Sequence, residues 1–175
     1  MAEIVFIGNS LTEWFDWQGR FPEHKVKNLG VAGETAGGLL YRMESIISLS
    51  GDPDFAFLMT GTNDVLMEDY EGLTSSYREI LARLSTAFMR GKIVVQSILP
   101  VDASWTDNRA VMKQNEAIKG LARDFKAEYL DLFSLFTGPD FSPLAECLLE
   151  DGVHLSAKGY AVWANAVEGF LRMTE

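Results

Sequence analysis

The sequence predicts an α/β protein with a parallel five-stranded sheet and helices on both of its faces. Five short β-rich runs predict strands, and several of them are nearly continuous in apolar residues, as buried parallel strands are. Helical segments alternate with these runs, and this order favours right-handed crossovers between parallel strands. No repeat, low-complexity tract or Pro/Gly/Ser-rich linker divides the 175 residues, so we expect a single domain over residues 1–175.

Most of the predicted strands end directly before polar or glycine-rich residues. The strands cover Ile4–Ile7, Lys25–Leu29, Phe55–Met59, Ile93–Ile98 and Tyr129–Leu132. In open parallel sheets, ligands bind beyond the carboxyl ends of the strands. Residues with a chemical role are therefore expected just after these strands.

Three helices are predicted from apolar spacing and end signals. The first has Gly91 near its expected C-terminus and presents an apolar face made of Tyr77, Ile80, Leu81, Leu84, Ala87 and Phe88. The second covers roughly Asn108–Lys126. The third follows His154, with Ser156 as its N-cap.

Composition excludes several classes of function. The chain has 25 acidic and 15 basic side chains and a formal charge of -10, which opposes binding to nucleic acid or to anionic lipid. Cys147 is the single cysteine, so no internal disulfide can form, and we expect it to be a small core residue. An early first strand leaves no room for a signal peptide, and no apolar run could span a bilayer. We therefore expect a cytoplasmic protein without a membrane anchor.

A hydroxyl near the start of the chain and an Asp-x-x-His near its end predict a split serine hydrolase triad. Ser10 follows the first strand, and Asp151 precedes His154 across a glycine-containing turn. Serine needs an imidazole to take its proton and a carboxylate to hold that imidazole in one tautomer. The other histidine, His24, lies beside charged residues and is expected on the surface. Taken alone, Ser10 could be only a helix N-cap and Asp151 only part of an exposed turn.

Acyl transfer also requires donors for the oxyanion of the tetrahedral intermediate. The candidates are the backbone N–H groups of Ser10 and Gly33 and the side-chain amide of Asn63, each of which follows a predicted strand. Singly, Gly33 and Asn63 are more typical of tight turns. Four such residues in this order make a stronger case than any one of them.

These residues resemble the SGNH hydrolases, also called GDSL esterases and lipases. The four motif residues would be Ser10 in Gly8-Asn9-Ser10-Leu11, Gly33 in Ala32-Gly33-Glu34-Thr35, Asn63 in Gly61-Thr62-Asn63-Asp64, and His154 in Asp151-Gly152-Val153-His154. The resemblance implies a three-layer α/β/α sandwich, flavodoxin-like, with Ser10 as nucleophile, Asp151 and His154 completing the triad, and no cofactor or metal. The block from Gly33 to Leu40 also looks like that of bacterial acyl-thioesterase members. Asn9 stands where the family usually has Asp.

The resemblance implies a small-molecule ester or thioester substrate with a short to medium acyl group. Apolar residues that flank the predicted site are the candidates for substrate binding, with core packing as the alternative for each: Trp14, Trp105, Phe141 and Leu144. A carbohydrate O-deacetylase would share every catalytic residue. A non-catalytic flavodoxin-like binding module is a further alternative, although the chain lacks a phosphate-binding Gly-x-x-x-x-Gly-Lys-Ser/Thr loop. The oligomeric state stays open.

Overall fold

A computed structural model describes residues 1–174, and its centre is a five-stranded, all-parallel sheet. The strand order is β2-β1-β3-β4-β5, which confirms the predicted fold class. All five predicted strands are present: β1 (Glu3–Gly8), β2 (Lys25–Gly30), β3 (Phe55–Met59), β4 (Lys92–Gln96) and β5 (Glu128–Leu130).

Helices cover both faces of this sheet. They are α1 (Ser10–Glu13), α2 (Trp17–Arg20), α3 (Ala36–Tyr41), α4 (Met43–Ser50), α5 (Thr62–Leu66), α6 (Tyr70–Ala87), α7 (Asn108–Asp124), α8 (Phe133–Phe136) and α9 (Ala157–Thr174), with a 3₁₀ turn at Ala145–Cys147. Ser156 caps α9 as predicted, because its hydroxyl accepts the N–H of Gly159 at 3.2 Å.

The alternating residues of β1 divide the core into two layers. Val5 and Ile7 pack with α3, α4, α6 and α7, whereas Ile4 and Phe6 pack with α2 and α9. Successive strand residues point to opposite faces, so a strand buried on both sides must be apolar throughout. This requirement explains the continuous apolar runs of the sequence and the three-layer architecture.

Several predicted element ends differ from the structure, and β5 ends at Leu130 and not at Leu132. Helix α6 ends at Ala87 and not near Gly91. Gly91 has another role, because a Cβ there would lie 2.0 Å from the carbonyl oxygen of Pro53. Strand β4 ends at Gln96 and not at Ile98, and the hydroxyl of the next residue, Ser97, accepts the N–H groups of Leu132 and Phe133.

The order of the strands determines where the candidate residues meet. β1 lies between β2 and β3, and the three strands are in parallel register. The connections from β1 and β3 leave in opposite directions along the sheet, so the switch point of the topology lies between them. The loops that follow β1, β2 and β3 therefore come together at one edge. Among residues 1–174, no helix combines the length and apolar character that crossing a membrane requires.

Candidate active site

Ser10 is the first residue of α1, directly after β1. Asn9 is fully buried and extended, and its Oδ1 accepts the N–H of Leu11 at 3.1 Å, so the helix begins at Ser10. The N–H of a first helical residue has no acceptor within its own helix. The strand end and the cap thus fix both the hydroxyl and the backbone N–H of Ser10.

The Asp-x-x-His segment forms a tight turn before α9. Asp151 Oδ1 accepts the backbone N–H groups of Val153 and His154, both at 2.9 Å. Gly152 has φ +71°, and a Cβ there would lie 2.3 Å from the carbonyl oxygen of Asp102. Its own carbonyl accepts the N–H of Asp102 at 2.7 Å. Glycine is therefore required in this turn for both its conformation and its close contact.

The two ends of the chain meet through three side chains. Ser10 Oγ lies 3.1 Å from His154 Nε2, and His154 Nδ1 lies 2.6 Å from Asp151 Oδ2. A carboxylate can only accept, so Nδ1 carries the proton and Nε2 is free to accept the hydroxyl proton of Ser10. The sequence-based prediction that these residues come together therefore agrees with the geometry, although their catalytic roles stay a proposal.

The charge of Asp151 suits this arrangement. Partial burial alone would raise the pKa of this carboxyl, but hydrogen bonds from the His154 ring and from the N–H groups of His154 and Val153 lower the pKa to about 2. Asp151 is consequently ionised at neutral pH and can hold the imidazole in the required tautomer.

Gly33 lies in the loop after β2, and Asn63 lies in the first turn of α5, after β3. Gly33 is exposed with φ +76°, and no atom lies within 4 Å of the position of a Cβ. Asn63 lies on α5, and its Nδ2 donates to the carbonyl of Glu34 at 2.8 Å. Because an amide nitrogen carries two hydrogens, Asn63 keeps a second donor.

Several side chains that hold the Gly33 loop escaped the sequence analysis. Glu13 accepts the N–H of Ala32 at 2.8 Å, and Asp64 accepts that of Ala36. Arg42 makes a bidentate ion pair with Glu34, with both N–O distances at 2.7 Å. The partners in the first two contacts are 19 and 28 residues apart. No local sequence pattern reports contacts of that range.

The four residues predicted to bind substrate lie in different environments. Trp14 is exposed and stacks on the His154 ring, with the ring centroids 4.2 Å apart. Trp105 is exposed on the loop that contains Asp102. Phe141 and Leu144 are partly buried and pack against opposite core layers. Trp14 therefore contacts a triad residue, and substrate binding by the other three stays a prediction.

His24 is not the solvated surface residue that its neighbours suggested. Its side chain is 9% exposed, and its Nδ1 accepts the N–H of Ala2 at 3.1 Å. It thus secures the start of β1 and is not part of the Ser10 site. Within residues 1–174, no group of three or more His, Cys, Asp or Glu side chains is placed to hold a metal ion.

Comparison with known proteins identifies the family. The sequence model of the GDSL-like Lipase/Acylhydrolase family matches residues 6–162. The chain belongs to this family. It is accordingly a hydrolase of ester bonds, with the SGNH/GDSL hydrolase fold.

Similar proteins match this GDSL hydrolase over nearly its whole length. The human platelet-activating factor acetylhydrolase IB subunit alpha1 is 26% identical, covering 97% of this chain and 75% of the relative. A structure from Streptococcus pneumonia, described as a platelet activating factor, has a TM-score of 0.85 at 25% identity and covers 97% and 83% of the two chains. An acetylxylan esterase from Geobacillus stearothermophilus has a TM-score of 0.77 at 21% identity, with 98% and 93% covered.

Proposed function

We propose that this hydrolase cleaves esters of short acyl groups, acetyl above all, through an acyl-enzyme on Ser10. The observation that carries the proposal is the continuous chain of hydrogen bonds from Ser10 Oγ through His154 to the ionised Asp151. A hydroxyl in such a chain can be deprotonated by the imidazole as it attacks. Thioesters are open to the same chemistry.

The proposed reaction has two halves. Ser10 Oγ attacks the carbonyl carbon while its proton passes to His154 Nε2, and the same proton then leaves with the alcohol. A water molecule next gives a proton to Nε2 and attacks the acyl-enzyme, which releases the carboxylic acid and restores the Ser10 hydroxyl. Asp151 stays ionised and stabilises the imidazolium that forms in each half.

The proposed oxyanion donors are the N–H groups of Ser10 and Gly33 and the free Nδ2 hydrogen of Asn63. They follow three neighbouring strands at one edge of the sheet, and the missing Cβ of Gly33 leaves space for an oxygen to approach. Donors fixed before the reaction need no reorganisation when the negative charge develops.

The names of the relatives and the solvent exposure of the site favour an acetyl group as the acyl part of the substrate. Both the human relative and the Geobacillus structure are named for acetyl hydrolysis. Gly33 is exposed, and the Asp151 side chain is 50% exposed, so the alcohol part of a substrate can extend into solvent. A long acyl chain would gain more from a deep apolar cavity.

A carbohydrate O-deacetylase is the second candidate. The residues Trp14 and Trp105 are 55% and 65% exposed, and flat indole rings of this kind can stack on the apolar faces of sugar rings. Such an enzyme would use the same triad, so only the alcohol of the substrate would differ.

A substrate panel tests both candidates. The panel comprises p-nitrophenyl acetate, butyrate and octanoate, an acetyl thioester and acetylated xylo-oligosaccharides, with the Ser10→Ala and His154→Ala variants as matched controls. We expect the highest kcat/KM with an acetyl substrate and near-complete loss in both variants, because triad residues act as a unit. A preference for octanoate would refute the short acyl group. Turnover in a purified variant would refute the roles of these residues.

A further inference from the structure

The indole of Trp14 lies flat against the imidazole of His154. The ring centroids are 4.2 Å apart and the planes differ by 24°. Trp14 follows Ser10 by four residues, and its backbone N–H donates to the Ser10 carbonyl at 3.0 Å. The single turn of α1 and its C-cap residue, Trp14, therefore present both the attacking hydroxyl and the ring that covers the base.

Core packing does not explain this tryptophan. Trp17 and Trp163 are 1% and 0% exposed and belong to the core layer beneath α9, whereas Trp14 is 55% exposed. A large apolar side chain in solvent contributes little to burial. Trp14 stacks instead on His154, the base of the proposed reaction.

The edge atoms of His154 already have partners, so its ring faces are what remains for a further contact. Nδ1 contacts Asp151 and Nε2 contacts Ser10. Both contacts are made by nitrogens at the edge of the ring, so neither covers a face of the ring plane. The stacked indole lies above that plane and opposes rotation out of it.

We propose that Trp14 is a positioning residue for His154, whose indole face holds the imidazole toward Ser10 and stabilises the imidazolium formed during acyl transfer. The inference rests on the proposed function, and it adds to the triad a residue that increases the rate of acyl transfer through His154. The proton that creates the positive charge is the one that moves from Ser10 Oγ to His154 Nε2.

The charge on the ring determines which kinetic constant depends on Trp14. An aromatic face attracts a cation more strongly than a neutral ring, and the indole of tryptophan is the strongest of the natural aromatic groups in this respect. His154 is neutral before the attack and cationic in the transition state. Because the contact becomes stronger only in the transition state, its loss lowers kcat and leaves KM nearly unchanged.

Three substitutions separate the aromatic face from simple steric cover. Trp14→Phe retains an aromatic face, Trp14→Leu retains apolar bulk alone, and Trp14→Ala removes both. Tyr41→Ala serves as the matched control, since Tyr41 is an exposed aromatic residue, 94% exposed, at the end of α3. Two rates are measured: hydrolysis of p-nitrophenyl acetate, and covalent labelling by a small fluorophosphonate, which has no acyl chain to bind.

We expect Trp14→Leu and Trp14→Ala to lower kcat and the labelling rate together, by roughly 3- to 30-fold. Trp14→Phe should retain most of both rates, KM should change less than about twofold, and Tyr41→Ala should match the wild type. Thermal unfolding of each variant reports whether it is folded. Because Trp14 lies outside the core, the thermal unfolding midpoints of its three variants should stay close to that of the wild type.

Two results would overturn the inference. One is a rise in KM with kcat and labelling unchanged, which would make Trp14 a substrate contact only. The other is a Trp14→Leu variant as active as Trp14→Phe, which would remove the role of the aromatic face. If instead the wild type neither labels at Ser10 nor hydrolyses any ester, the proposed function itself fails, and this inference fails with it.

Discussion

Asp64 on α5 accepts the backbone N–H of Ala36 with both carboxylate oxygens, at 3.0 and 3.2 Å. Burial raises the pKa of Asp64, and its hydrogen bonds with the backbone N–H groups of Ala36 and of Asp64 itself offset only part of that rise. Because Asn63 precedes Asp64 and the Gly33 loop precedes Ala36, this contact ties two proposed oxyanion donors to each other.

Removal of Asp64 should therefore reduce both stability and turnover. Asp64→Ala leaves the buried N–H of Ala36 without a partner, which we expect to cost about 1–3 kcal/mol in the free energy of unfolding. Thr35→Ala is the control. Thr35 caps α3, the helix that begins at Ala36, and its hydroxyl accepts the N–H of Gly38 at 3.1 Å. Urea denaturation and p-nitrophenyl acetate kinetics are compared for both. An equal loss of kcat in the two variants would contradict a specific role for Asp64.

Asn63→Ala should affect the reaction far more than the fold. It removes the proposed oxyanion donor, for which we expect kcat to fall by about 10²- to 10³-fold. It also removes the bond to the Glu34 carbonyl, which contributes about 1 kcal/mol to stability. Steady-state kinetics and urea denaturation measure the two effects. A kcat close to that of the wild type would remove Asn63 from the oxyanion site.

Asn9 tests the link between the helix cap and the nucleophile. Asn9→Ala should cost about 0.5–2 kcal/mol of stability and lower kcat, because the cap that starts α1 at Ser10 is lost. Asn9→Asp retains an oxygen for the N–H of Leu11, so its turnover should exceed that of Asn9→Ala.

A second side-chain hydrogen bond to the start of a helix provides the comparison for Asn9. Asp131 accepts the N–H of Ser134 in α8, beyond the edge strand β5. Asp131→Ala should lower the unfolding midpoint without changing kcat. If Asn9→Ala loses stability and keeps full turnover, the placement of Ser10 does not depend on its cap.

The Asp151 carboxylate should contribute stability in a defined pH range. Its pKa is lowered from 3.8 to about 2 in the folded chain, so the folded state favours the ionised form. That contribution is complete above the unfolded value and is lost as the pH falls through 3.8 toward 2. Urea denaturation of the wild type and Asp151→Asn at several pH values measures it. The difference between the two should shrink as the pH falls from about 5 toward 2, and a difference that grows over this range would contradict the assignment.

The sequence was most informative where a local pattern determines the structure. Continuous apolar runs such as Phe55–Met59 are typical of strands buried on both faces, and a parallel sheet brings the residues after its strands to one edge. This reasoning alone placed Ser10 near Asn63. The family motifs then linked both residues to His154, from the far end of the chain.

The remaining features depend on contacts that have no local signature. The stacking of Trp14 on His154 and the pairing of Asp64 with Ala36 arise only when distant segments pack. Glycine is typical of helix ends, but Gly91 does not end a helix. A glycine is needed there because the carbonyl of Pro53 approaches it closely. His24 has charged sequence neighbours and is nevertheless largely covered in the fold. In each case tertiary packing overrides the local preference.

The central claim is that the Ser10 hydroxyl, activated by His154, is the nucleophile, and mapping a covalent adduct tests it most directly. The wild type, Ser10→Ala and His154→Ala are treated with a fluorophosphonate, digested with trypsin and analysed by mass spectrometry. The account predicts one adduct in the wild type, on Ser10 within the peptide Met1–Arg20, and none in either variant. An adduct at another residue, or an esterase-active wild type that does not label, would contradict it.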